Sequence, residues 1–89
     1  MKAILTVIGK DKVGIIAGVS NKMLEFNINI LDVNQTIMQD FFTMMMMLDC
    51  TEMKGSFDEV REALTEEGKK LGVDIKIQRD EIFKSMHSL

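Results

Sequence analysis

Two short runs, KAILTVI at residues 2–8 and FFTMMMMLDC at residues 41–50, are apolar on both parities. In the first, Ala3, Leu5 and Val7 share one face, and Ile4, Thr6 and Ile8 the other. In the second, Phe42, Met44, Met46 and Leu48 alternate with Phe41, Met45 and Met47. Runs of this length and character read as strands. A strand apolar on both faces belongs inside a sheet that is covered on both sides. These two runs are therefore expected to be the central strands, and the rest of the chain must supply edges and cover.

Residues 28–38, INILDVNQTIM, read as a strand whose alternation breaks once. Ile28 and Ile30 share one parity, while Leu31, Val33 and Ile37 share the other; a bulge near Leu31 restores the register. Gln39-Asp40 is a tight turn, so this strand and the next form a hairpin. VDIKIQ, residues 73–78, sets Val73, Ile75 and Ile77 against Asp74, Lys76 and Gln78, the pattern of a half-exposed strand.

Two helices fall between the strands. From Val13 to Phe26, the apolar residues Ile15, Ile16, Val19, Met23, Leu24 and Phe26 predict an amphipathic helix with a wide buried stripe. Asp11 is placed to cap its start, and Asn27 suits a left-handed turn at its end. Ser56 and Glu59 form a capping box for the second helix, with Phe57, Val60, Leu64 and Leu71 along one face. Glu66 stands four before Lys70, the favourable order for an ion pair, and Gly72 ends the helix. Asp80 suits the cap of a last short helix bearing Ile82, Phe83, Met86 and Leu89.

The order strand, helix, strand, strand, helix, strand defines two right-handed crossovers joined by a hairpin. That is an α+β fold, a ferredoxin-like βαββαβ sandwich with strands one and three central, followed by a short C-terminal helix. The expected division is a domain over 1–79 and a helical tail over 80–89.

Eighty-nine residues make one domain with a modest core, for which pairing with a second copy is one remedy. The net charge of −3 argues against a nucleic-acid partner. No apolar run approaches the ~18 residues of a membrane span, and no signal peptide is visible. Cys50 is the only cysteine, which excludes an intramolecular disulfide and points to a reducing cytoplasm.

The loop after the first strand, GKDKVG, spaces Gly9 and Gly14 five apart. Ile15-Ile16 follow where a phosphate-binding loop needs Lys and then Ser or Thr, so a nucleotide site is not expected. Two readings of the loop stay open: a tight turn with a close helix–sheet approach at Gly14, or a small carboxylate held at the helix N-terminus. The four methionines at 44–47 cannot converge on a soft metal, because successive side chains of a strand point to opposite faces. They read as core filler. His87 is the single histidine, and no nucleophile has an evident base, so neither catalysis nor a metal or cofactor is indicated. Tyr and Trp are absent, which removes the aromatic platform of RNA-binding domains of this topology.

GKDKVGIIAGVS, NINILDVNQTI and FFTMMMML together resemble the ACT domain, above all its small stand-alone, uncharacterised group. They are also similar to the first domain of the glycine cleavage system transcriptional repressor. The resemblance spans residues 2–79. It implies a non-catalytic regulatory module that forms side-by-side dimers, with sheets joined across an edge and helices on one face. It also implies small effectors, usually amino acids, bound between two domains. Carried over by position, the contacts fall on Asp11, Lys12, Val13, Gly14 and Ile15 of the loop, and on Asn29 and Ile30 at the start of strand two. Serine-binding members carry a histidine and an asparagine where this chain has Gly9 and Asp11. The acidic Asp11 would favour an α-amino group. The expectation is a cytoplasmic homodimer sensing an amino acid and signalling through a regulated protein partner. The alternative is an interaction module without a ligand, docking on a metabolic enzyme or regulator.

Overall fold

The structure, a computed structural model, describes residues 1–10 and 13–81. The elements are β1 (Lys2–Gly9), α1 (Ile15–Glu25), β2 (Asn29–Met38), β3 (Phe41–Asp49), α2 (Phe57–Leu71) and β4 (Asp74–Arg79). One antiparallel sheet has the order β2-β3-β1-β4, so the two doubly apolar runs are its central strands. This is the ferredoxin-like βαββαβ arrangement expected from the element order.

Both helices lie on one face of the sheet. Ile15, Val19 and Met23 of α1 and Phe57, Val60 and Leu64 of α2 form a single cluster with the inner residues of β1 and β3. Those inner residues are Ala3, Leu5 and Val7 on β1, and Phe42, Met44, Met46 and Leu48 on β3. Each fully buried aliphatic or methionine side chain of this kind contributes ~1.5–3 kcal/mol. The opposite face differs from the expectation that both would be covered. Ile8 is 46% exposed, Phe41 51% and Met45 37%, because no described helix lies over them.

Local sequence accounts for most element ends. β2 slips register between Ile30 and Asp32, which is the expected bulge at Leu31. The hairpin turns at Gln39, which takes a left-handed φ of 55°. Glu59 N–H donates to Ser56 Oγ at 3.1 Å, and Ser56 N–H donates to Glu59 Oε1 at 3.4 Å, so the capping box of α2 is complete. Gly72 closes α2 at φ 71°, and Asn27 turns the chain after α1 at φ 56°.

Four details depart from the sequence reading. α1 begins at Ile15 rather than Val13, and its N-cap is Gly14 at φ 77°. Asp11, expected as the cap, lies outside the described residues. The buried stripe of α1 is narrow: Ile16 is 42% and Leu24 80% exposed, since the helix rests on the sheet along one line. Glu66 pairs with Lys69 at 3.4 Å instead of with Lys70, and both side chains are exposed, so the pair contributes little. In α2 the fourth buried position is Gly68, while Leu71 is only half-buried. Most of the expected C-terminal helix lies outside the described residues.

The close approach of helix to sheet is made at Gly68 rather than at Gly14. A Cβ on Gly68 would lie 2.8 Å from the Val73 carbonyl oxygen and 3.3 Å from Ile75 Cγ1. One on Gly9 would collide with Val73. At Gly14 the nearest atom would be Leu71 Cδ2 at 3.8 Å, an ordinary contact, so there the glycine serves its left-handed φ.

Candidate functional site

The residues singled out in the sequence fall in two places. The first is the start of α1. Val13 is 80% exposed, and Gly14 carries no side chain with which to cap the helix. Its carbonyl oxygen accepts the Gly18 N–H at 2.9 Å, opening the helical ladder. No acidic residue stands in the first turn of α1, and among the described residues no side chain caps it. A helix start leaves backbone N–H groups without helical partners and carries partial positive charge, so this end is fit for a small anion. The end of α2 that begins at Phe57 is the contrast, with its capping box and with Asp58 and Glu59 in its first turn. Ile15 turns inward and is fully buried, so its side chain serves the core and only its backbone faces the loop. Asp11 and Lys12 lie outside the described residues.

The second place is the start of β2. Asn29 is exposed and lines a cleft of about 440 Å³ with Asn27, Ile28, Asp49, Thr51 and Glu52. Ile30 is half-buried, packs on the core and sits opposite Leu48. The cleft is polar and well braced. Asn27 Nδ2 donates to the Glu52 carbonyl oxygen at 3.1 Å. Thr51 donates to Asp49 Oδ1 twice, from its hydroxyl at 2.5 Å and from its backbone N–H at 3.0 Å. The hydroxyl bond first, then the backbone bond, holds the Asp49 carboxyl below the usual carboxylate range. Asp49, Thr51 and Glu52 were not among the expected site residues. The D-x-T spacing at the end of a strand is the signal that would have found them, because an aspartate there accepts from the backbone two residues on.

Thr51→Val is expected to return the Asp49 pKa towards its ordinary value. The folded value is depressed, so the stabilising contribution of Asp49 is present above the unfolded pKa of ~3.9 and is lost as pH falls through the lower folded value. A carbon-detected NMR titration of the Asp49 side chain checks this. An unchanged midpoint in the variant would contradict it.

One chain does not bring the two places together. Asn29 pairs with Asp49, which pairs with Lys2 at the start of β1. Gly9, at the other end of β1, pairs with Phe42, which pairs with Ile37. The loop before α1 and the start of β2 are thus at opposite ends of the sheet, about 25 Å apart along the strands.

The other candidate chemistries find no support in the geometry. Met44 and Met46 point into the core, and Met45 and Met47 to the opposite face. Burial pushes the Cys50 thiol up, so it stays protonated and packs as a small apolar group. Among the described residues, no group of three or more His, Cys, Asp or Glu is placed to hold a metal. Among them also, no helix is long and apolar enough to cross a membrane.

Comparison with known proteins agrees with this architecture. The family model of the ACT domain matches residues 2–78. A UPF0237 protein of Listeria innocua is 62% identical over 89 residues, covering 100% of both chains. The solved structure of an ACT domain protein from Streptococcus pneumoniae superposes with a TM-score of 0.83 at 46% identity, covering 98% of each chain. A putative glycine cleavage system transcriptional repressor shares the fold, with a TM-score of 0.71 at 19% identity over 86% of this chain and 44% of its own. Its core, its strand order and relatives alike along their whole length place the chain in the ACT domain family, within the UPF0237 group.

Proposed function

We propose that the chain is a non-catalytic regulatory protein that binds a small amino acid between two copies of itself. The start of α1, which no side chain caps among the described residues, carries this reading. It presents backbone N–H groups and a partial positive charge at Gly14 and Ile15, where an α-carboxylate can be held. Asp11, from the same loop, takes the α-ammonium group. Asn29 bridges, since its amide both donates and accepts.

Pairing of two copies is supported by the edge of the sheet. β2 is an edge strand with Ile37 59% and Met38 71% exposed, and α1, which touches it, leaves Ile16 and Leu24 in solvent. Antiparallel pairing of β2 with a second β2 about its midpoint sets Asn29 of one copy beside Met38 of the other. The loop end of each chain then meets the Asn29 end of its neighbour. The pairing joins the two half-sites that one chain keeps apart. Being a fold of regulatory, small-ligand-binding modules, the ACT domain fits this role.

The test is thermal-shift screening of the purified protein against the amino acids, combined with light scattering. A ligand at a hundred times its Kd stabilises by ~2.7 kcal/mol, a clear rise in melting temperature. Asn29→Ala is expected to abolish the rise with little change in the unliganded melting temperature. No shift with any amino acid would remove the ligand reading. A 10.1 kDa species at micromolar concentration would remove the pairing.

A further inference from the structure

The chain has nine lysines but only two arginines, Arg61 and Arg79. They belong to different elements, Arg61 to α2 and Arg79 to the last position of β4. Both converge on one aromatic ring. Cζ of Arg61 lies over the Phe57 ring, 5.1 Å from its centre, and Cζ of Arg79 lies 5.4 Å from it. Phe57 is the first residue of α2, is 8% exposed and belongs to the core cluster. The ring is therefore a fixed platform with a guanidinium from each element resting on it. The guanidinium side chains themselves stay at the surface: that of Arg61 is 53% exposed, and Arg79 is exposed as well.

Stacking uses the face of a guanidinium and leaves its N–H groups pointing outward in the plane. Arg61 Nη1 donates to Asp58 Oδ1 at 2.8 Å. Arg79 enters no ion pair among the described residues. Covering a ring takes only an alkyl stem, which lysine also has. A planar fork adds bidentate recognition of a carboxylate. The ring holds both forks in place beforehand, so less freedom is lost when an acid binds. The two forks can be no further apart than their two distances to the ring together. Carboxylates at alternate residues of an extended segment stand ~7 Å apart, a spacing that fits. The chain as a whole, with a net charge of −3, does not collect anions, so attraction has to come from the forks.

We propose that Arg61 and Arg79, stacked on Phe57, are a docking site for an acidic segment of a partner protein, each guanidinium taking one carboxylate. The incoming acid displaces Asp58 from Arg61. A protein segment suits the place better than a small acid, because small-molecule sites enclose most of their ligand and these side chains are open to solvent. β4 is the edge opposite β2, so pairing of two chains through β2 leaves the site free. The assignment is independent of the amino-acid reading, which uses α1 and β2.

NMR of the nitrogen-labelled full chain tests it, since two arginines give two side-chain Nε–H signals. Titration with an oligoglutamate peptide is expected to move both signals saturably, and an oligoglutamine peptide of the same length to move neither. Arg61→Lys and Arg79→Lys keep the charge and the stem. Each is expected to bind the oligoglutamate about ten-fold more weakly, the size of one charge-assisted hydrogen bond, with an unchanged melting temperature. Asp58→Asn is expected to tighten binding, an effect that an Arg61 serving only to cover the ring would not produce. Still signals, lysine variants that bind as tightly as the parent, or no tightening in Asp58→Asn would overturn the proposal. Sodium glutarate or inorganic phosphate moving the signals as far as the peptide at equal anion concentration would also overturn it, because the site would then serve free small anions.

Discussion

Phe42→Ala is expected to lower the unfolding free energy by about 3–5 kcal/mol. Phe42 is 2% exposed and heads the fully buried side chains by size. It sits on β3, hydrogen-bonded on both sides, opposite Gly9 on β1 and Ile37 on β2. Strands paired on both flanks cannot close in on the space the ring leaves, so the loss combines transfer and cavity terms. Small domains have a total stability of ~5–15 kcal/mol, so the variant should be largely unfolded in moderate urea where the parent is folded. Equilibrium urea unfolding followed by circular dichroism measures the difference. A loss below ~1 kcal/mol would show that the core repacks freely around position 42.

Gly68→Val is expected to cost at least ~1–3 kcal/mol, although it adds apolar volume in a helix. The added Cβ meets the Val73 backbone oxygen at 2.8 Å, and backbone cannot swing aside as a side chain can. The Val73 N–H donates to the Gly68 carbonyl at 2.9 Å, so the turn from α2 into β4 is drawn tight at this glycine. Gly18→Ala is the control. There the Cβ would approach Glu67 Oε2 at 2.7 Å and Leu71 Cδ1 at 3.0 Å, both side-chain ends. They can move, and alanine gains ~0.5–1 kcal/mol in helix propensity over glycine. Calorimetry should find Gly68→Val clearly less stable than Gly18→Ala, and the reverse order would show that the α2–β4 contact yields.

Features set by neighbours in the chain were legible in the sequence. The capping box at Ser56 and Glu59, the bulge at Leu31, the stop at Gly72 and the central position of the two doubly apolar runs each rest on a handful of adjacent residues. Features set by packing were not. Nothing local distinguishes Gly68, which touches β4, from Gly14, which only needs its left-handed φ. The stripe of α1 looked wide because Ile16 and Leu24 fit the helical period, but period does not report how much surface a sheet offers. The separation of the loop before α1 from the start of β2 was legible in principle. A crossover makes β1 and β2 parallel, so the end of one and the start of the next must lie at opposite ends of the sheet. The polar cleft at Asn27, Asn29 and Asp49 depends on a loop returning from β3, which no periodicity describes.

The two edges of the sheet are unlike. β2 runs ten residues and leaves Ile37 and Met38 bare, whereas β4 runs six and exposes Asp74, Lys76 and Arg79. Short, charged edges resist the addition of further strands. Two chains joined by their β2 strands about a two-fold axis would consume both adhesive edges and present only β4 at either end. Such growth is self-terminating. The same sheet with two adhesive edges would polymerise into a fibre, so in a pair of this kind the charges on β4 would set its size without touching its interface.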